Sequence, residues 1–133
     1  MKIYKGYSDT SFGQIHYRYC GEGDPIILLH STPRSSVIFE KLMFLLAKKH
    51  SIFALDTLGF GQSDKLPDNF KIELLADSVI EFCENNELKD VSIFGLHTGN
   101  KIAAAIAISS KKELIKNIIV CGMSHSLILD NKE

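Results

Sequence analysis

The most informative nine residues of the sequence are Val91-Ser92-Ile93-Phe94-Gly95-Leu96-His97-Thr98-Gly99. The apolar run 91–96 predicts a strand buried on both faces. The Ala-rich segment 99–109 predicts a helix whose small side chains permit close packing on a sheet. So sharp a strand-to-helix turn drives its apex residue, His97, towards positive φ. Gly95 and Gly99 flank the apex because a Cβ there would collide where the helix folds back on the strand.

Strands and helices alternate on both sides of this turn. Two short alternating runs predict an opening antiparallel pair around Ser8-Asp9-Thr10, and continuous apolar runs predict buried strands. The predicted strands are 3–7, 14–20, 26–29, 51–56, 91–96 and 117–122, and the predicted helices are 35–48, 72–85 and 99–109. The alternation predicts an α/β fold, a mostly parallel sheet with an antiparallel amino-terminal hairpin and helices on both faces.

Ligands of such sheets bind outside the carboxyl ends of the strands. Four segments follow the predicted strand ends and are therefore the candidate site: 30–33, 56–59, 97–99 and 122–125. The amide of Thr98 points into this edge from a helix N-terminus, and the amide of Thr32 could join it from a neighbouring loop. Two such amides would form an oxyanion hole beside His97.

Three of the segments together resemble the amino-terminal half of the α/β-hydrolase fold family. Residues 28–33 (LLHSTP) resemble the family's HGxP loop, with Ser31 in place of glycine. Residues 56–64 (DTLGFGQSD) match its DxxGxGxSD loop, and residues 95–99 stand where it carries the nucleophile elbow G-x-S-x-G. The resemblance covers nearly the whole chain as one domain, 1–133. It implies strands 1–6 of the family's sheet.

The resemblance also assigns expected roles around the site. His30 is expected to orient its loop by hydrogen bonding, and Asp56 to tie the loop 59–63 to its strand. His125 is expected either to line the mouth of a pocket or to be exposed, whereas His16 and His50 are expected at the surface. The expected binding residues are His30, Ser31, Pro33, Met123 and His125, and the expected structural residues are Asp56, Gly59, Gly61, Ser63, Gly95 and Gly99.

The apex residue departs from the family pattern, because His97 replaces a Ser, Cys or Asp nucleophile. A helix N-terminus disfavours positive charge, so we expect a neutral imidazole that serves as base, ligand, hydrogen-bond partner or nucleophile. The alternative is a family fold that has lost its nucleophile. The family's acid and catalytic histidine are expected beyond Glu133, so a complete triad is not encoded.

These features predict a hydrolase of a small ester or a related substrate, with incomplete catalytic machinery. Two alternatives stay open: a non-catalytic module that binds a small ligand, and a truncated inactive homologue. A third idea is a zinc site at His30, His97 and His125, but no carboxylate is placed to support these ligands. We therefore expect no metal and no cofactor.

Composition restricts the partners and the setting. The 15 basic and 16 acidic residues give a net charge of -1, which removes the electrostatic case for nucleic acid. A hydrophobic content of 45% excludes disorder, and no apolar run is long enough to span a membrane. Three scattered cysteines predict a reducing, cytoplasmic setting. The apolar strand 117–122 would be an exposed edge, so we expect self-association through it.

Overall fold

A computed structural model describes residues 1–109 and 111–122 of the chain. It contains a six-stranded sheet with strand order β1-β2-β4-β3-β5-β6. The strands are β1 (Tyr4–Thr10), β2 (Gly13–Cys20), β3 (Asp24–Leu29), β4 (His50–Leu55), β5 (Val91–Leu96) and β6 (Ile115–Cys121), and the helices are α1 (Glu40–Leu46), α2 (Ile72–Asn85) and α3 (Gly99–Ala107). Short 3-10 turns at Ser36–Phe39 and Lys112–Leu114 precede α1 and β6.

The pairing of the strands confirms the predicted mixed sheet. β1 pairs antiparallel with β2, and β2 pairs antiparallel with β4. The remaining strands, β4, β3, β5 and β6, are parallel neighbours. Leu28 of β3 lies opposite both Ala54 of β4 and Phe94 of β5, so β3 is central. The carboxyl ends of β3, β4, β5 and β6 therefore meet at one edge of the sheet.

The core consists of two apolar clusters, one on each face of the sheet. The larger cluster packs α2 and α3 against the sheet and includes Phe82, Leu29 and Ile93. The smaller cluster packs α1 against the other face through Phe39 and Met43. Helices on both faces were predicted, and this arrangement confirms them. No helix within the described ranges is long and apolar enough to cross a membrane.

The opening hairpin turns later than predicted. Residues 8–10 were expected to form its turn, but they continue β1 and pair with β2. The turn instead falls at residues 11–12, where the Thr10 hydroxyl donates to the Gly13 carbonyl at 2.6 Å. Gly13 has a φ of 137°, a conformation that side chains rarely adopt. The glycine, rather than the polar triplet before it, determines where the chain reverses.

Two further elements differ from prediction. The single helix predicted over 35–48 is a 3-10 turn followed by α1, and the backbone amide of Ser36 at its start is held by Asp56. The last strand, predicted over 117–122, begins two residues earlier and spans Ile115–Cys121. It lies at the edge of the sheet, as expected, but most of its residues are exposed although its apolar run predicted a buried strand. It is an edge strand because β5 is its only neighbour among the described strands.

Candidate functional site

The turn between β5 and α3 projects His97 from the carboxyl edge of the sheet. His97 has a φ of 51° and an exposed side chain. Its carbonyl accepts a hydrogen bond from the Asn100 amide at 3.0 Å, and this bond closes the first turn of α3. Histidine tolerates this left-handed conformation better than most residues. The turn has the positive φ that the sequence predicts.

The glycines on either side of His97 leave room for this turn. A Cβ on Gly99 would collide with the backbone carbonyl of Leu29 in β3, and a Cβ on Gly95 would lie 2.8 Å from the backbone nitrogen of Asn100. Contacts this short with backbone atoms force the chain to shift. Only glycine at both positions lets α3 begin directly against β3 and β5.

The end of β6 holds the other side of His97. The His97 amide donates to the Cys121 carbonyl at 3.0 Å. The buried Asn100 side chain also donates to that carbonyl, at 2.9 Å, and accepts from the Cys121 amide at 3.3 Å. A Cβ on Gly122 would lie 2.7 Å from the imidazole carbon Cε1, so the ring rests against this glycine. Sequence reasoning missed Asn100, whose partner lies 21 positions away.

The two predicted oxyanion donors lie together, but the structure uses one of them internally. The Thr32 amide donates to the Thr98 hydroxyl at 2.7 Å, and that hydroxyl donates to the Thr32 hydroxyl at 2.9 Å. Within the described part of the chain the Thr98 amide has no acceptor. Ser31 is half-buried, and Pro33 is exposed and follows a cis peptide bond. The loop after β3 therefore meets the start of α3 through two threonines.

His30 is buried and fully engaged within the protein. Its Nδ1 lies 2.9 Å from the Ser31 carbonyl, and its Nε2 accepts from the Thr57 amide at 3.1 Å. Burial lowers the pKa of His30 despite the Ser31 bond, which raises it. These partners require a neutral ring with its proton on Nδ1. His30 thus has no free nitrogen to offer a zinc ion, which removes one ligand of the zinc alternative.

Asp56 joins the end of β4 to three other parts of the chain. Its carboxylate accepts from the Ser36 amide at 2.7 Å, the Gln62 amide at 2.9 Å and His16 Nδ1 at 2.9 Å. Burial alone would raise the pKa of this carboxyl, but hydrogen bonds from Gln62, Ser36 and His16 outweigh it and leave the pKa below its ordinary value. Asp56 is therefore ionised in the folded protein at neutral pH.

Three small residues complete the loop that Asp56 holds. The Ser63 hydroxyl donates to the Asp56 carbonyl at 2.6 Å and accepts from the His16 amide at 2.8 Å. A Cβ on Gly61 would collide with the Asp56 carboxylate, and Gly59 adopts a φ of 92° while its amide donates to the Asp64 carbonyl. These contacts fix the loop against the end of β4.

The surface position predicted for His16 is wrong, and His50 is only partly exposed. His16 is only 4% exposed, and its ring pairs with Asp56. The register of β2 against β4 places it there, and no local pattern reveals that register. His50 is half-buried at the start of β4, and its Nδ1 has no hydrogen-bond partner among the described residues. Met123 and His125 lie outside the described residues.

Comparison with known proteins agrees with this architecture. The family sequence model for the alpha/beta hydrolase fold matches residues 24–133. The chain belongs to the α/β-hydrolase fold family. It is 27% identical to the soluble epoxide hydrolase of Corynebacterium sp. (strain C12), covering 86% of this chain and 40% of the relative. It is 30% identical to haloalkane dehalogenase 2 of Mycobacterium bovis, covering 84% of this chain and 39% of the relative.

Solved structures of this hydrolase family superpose on most of the chain. The epoxide hydrolase CorEH without ligand gives a TM-score of 0.88 at 25% identity, covering 99% of this chain and 46% of that one. A mutant N-acyl homoserine lactonase AidH complexed with N-hexanoyl homoserine gives a TM-score of 0.84 at 25% identity. The match covers 92% of this chain and 46% of the lactonase chain. The matched part of the chain spans about 40% of the length of the Corynebacterium epoxide hydrolase and of the Mycobacterium bovis haloalkane dehalogenase.

Proposed function

We propose that this chain carries the nucleophile side of a hydrolase site for a small ester or a related small molecule, with His97 at the nucleophile position. The observation that carries the proposal is the β5–α3 turn, where His97 sits at a φ of 51° with an exposed imidazole between two obligatory glycines. This geometry supports a role as the family's nucleophile elbow. The relatives are named for hydrolases of epoxides, haloalkanes and homoserine lactones, which supports a small-molecule substrate.

The placement of His97 suggests how a bond would be attacked. In one route an imidazole nitrogen adds to the ester carbonyl carbon, the ester C–O bond breaks to release the alcohol, and water then hydrolyses the acyl-imidazole to the acid. In the other route the imidazole takes a proton from a water that adds to that carbon, and it returns the proton to the alcohol as the ester C–O bond breaks. Both routes develop negative charge on the carbonyl oxygen. Donors at the start of α3 and in the loop after β3 would stabilise that charge as an oxyanion hole, with the Thr98 amide as one donor.

Turnover of 4-nitrophenyl butyrate by the wild type, His97→Ala, His97→Ser and Lys101→Ala tests this function. We expect His97→Ala to lose roughly 100-fold or more in kcat/KM, the scale of a lost general base. His97→Ser should be no faster than His97→Ala, because a serine without a neighbouring base is a weak nucleophile. Lys101 is exposed on α3 and serves as the matched control.

Three outcomes would contradict the proposal. Equal rates for the wild type and His97→Ala would mean that the imidazole has no part in turnover. Binding of butyrate without any turnover would favour a non-catalytic ligand-binding module. Failure to obtain a folded protein would favour an inactive homologue.

We also propose a reducing, cytoplasmic setting and self-association through β6. All three cysteines are free thiols, with Cys20 and Cys83 buried and Cys121 exposed, which suits a reducing compartment. β6 exposes Ile119 and Val120, each at 46%, along an edge with no further strand in the described part of the sheet. Such an edge offers unpaired backbone groups to a second copy. A clean monomer at high concentration by light scattering would contradict the second proposal.

A further inference from the structure

Two threonines at the proposed oxyanion hole form a closed pair of hydrogen bonds. The Thr32 amide donates to Thr98 Oγ1 at 2.7 Å, and the Thr98 hydroxyl donates to Thr32 Oγ1 at 2.9 Å. A hydroxyl has a single proton to donate. The Thr98 hydroxyl therefore donates its one proton to the Thr32 hydroxyl while it accepts from the Thr32 amide.

This pair changes which atoms remain available to a ligand. The single proton of the Thr32 amide points at Thr98 Oγ1, so it does not serve a ligand oxygen at the same time. The Thr32 hydroxyl accepts from Thr98 but keeps its own proton, and Thr32 is exposed. The Thr98 amide has no acceptor within residues 1–109 and 111–122. The free donors are therefore one amide and one hydroxyl.

We propose, on the basis of the function proposed above, that the Thr98 amide and the Thr32 hydroxyl hold the carbonyl or carboxylate oxygen of a small acyl ligand. Thr98 is a positioning residue through its hydroxyl. That hydroxyl accepts from the Thr32 amide, so the amide is not available to the ligand, and it donates to the Thr32 hydroxyl, whose own proton then points to the ligand. Because the Thr32 hydroxyl also accepts a hydrogen bond, its own donation is strengthened by cooperativity. The oxyanion hole then consists of one amide and one hydroxyl, in place of the two amides predicted from the sequence.

Amide hydrogen exchange followed by NMR tests the threonine pair without a ligand. Thr98→Val keeps the branched shape and removes the hydroxyl, so the Thr32 amide loses its acceptor and should exchange about tenfold faster or more. Thr98→Ser keeps the hydroxyl and is the matched control, with an exchange rate close to that of the wild type. An unchanged Thr32 exchange rate in Thr98→Val would overturn the proposed pair.

Butyrate is the probe for the ligand contact. In the wild type we expect it to shift the Thr98 amide resonance and to leave the Thr32 amide resonance in place. Thr32→Val should weaken butyrate binding by roughly 2- to 10-fold, the effect of one lost hydrogen bond, and Thr32→Ser should restore it. In Thr98→Val the released Thr32 amide should become sensitive to butyrate.

The two measurements separate this inference from the proposed function. Equal butyrate affinity in Thr32→Val and the wild type would overturn the role of the hydroxyl, whatever the esterase assay gives. Absence of butyrate binding to the wild type would overturn the ligand assignment. Absence of esterase turnover, with butyrate binding and both threonine effects intact, would instead overturn only the proposed hydrolysis.

Discussion

A single residue, His97, combines an unusual backbone conformation with an exposed reactive side chain. The strain of a φ of 51° is tolerated because hydrogen bonds to Cys121 and Asn100 hold the residue from both sides. Strained residues that the surrounding structure over-determines cluster at functional sites. The conformation of His97 therefore supports a functional role, which the esterase comparison of His97→Ala with Lys101→Ala tests.

Asp56 offers a prediction about stability. Replacement by Asn at neutral pH should lower the free energy of unfolding by about 1–3 kcal/mol, because one carboxylate oxygen becomes an amide group that repels the donors facing it. Those donors are the amides of Ser36 and Gln62 and the ring of His16. Urea denaturation measures the difference. The exposed Asp77 of α2, changed to Asn, is the control and should shift stability by no more than about 0.5 kcal/mol.

The pH dependence of that difference follows from the sign of the pKa shift. The pKa of Asp56 in the folded protein lies below its ordinary value of 3.8. Its contribution is therefore fully present above that value and is lost as the pH falls through the lower, folded pKa. The gap in unfolding free energy between the wild type and Asp56→Asn should narrow on acidification below about pH 4. A gap that is constant from pH 7 to pH 2 would contradict an ionised Asp56.

At the scale of elements, β6 differs from every other described strand of the parallel part of the sheet. Its first half includes the exposed Lys116 and Asn117, the kind of polar edge that discourages pairing. Its second half is apolar and includes the exposed Ile119 and Val120. The unprotected part of the edge thus lies beside the candidate site rather than at the opposite end of the strand.

Lysine substitutions at this edge should abolish self-association. The double variant Ile119→Lys and Val120→Lys places a charge on each face of β6, and two copies aligned along this edge would then repel one another. Sedimentation velocity at several concentrations should show a shift from dimer towards monomer. Ile108→Lys is the matched control, because Ile108 is 88% exposed but lies beyond α3. If both variants behave alike, the contact does not involve β6.

For the whole molecule, contacts close in sequence were predictable and distant polar contacts were not. The turn at His97 follows from Gly95 and Gly99 within two positions of it, and α2 and β5 have the predicted bounds because their apolar patterns are local. The pairing of His16 with Asp56 spans 40 positions, and that of Thr32 with Thr98 spans 66. Such pairs depend on strand order and register, which periodicity does not encode. The Thr32 amide was therefore expected to be free.

The three cysteines report whether the two faces of the sheet unfold together. Cys20 lies in the cluster under α1, Cys83 in the cluster under α2 and α3, and Cys121 at the exposed edge. Burial raises the pKa of both inner thiols, that of Cys83 to about 12, so neither reacts without opening. A thiol reagent should therefore label Cys121 at once and the other two slowly.

The relative labelling rates of Cys20 and Cys83 show whether the two faces of the sheet open together. If the molecule opens as one cooperative unit, Cys20 and Cys83 should be labelled at a common rate that rises with urea. Mass spectrometry of labelled peptides, with Cys121→Ser as the control that removes the fast phase, measures both rates. α1 is the only described helix on its face, so faster labelling of Cys20 would show that this face opens independently. The smaller cluster would then be the first part of the fold to open.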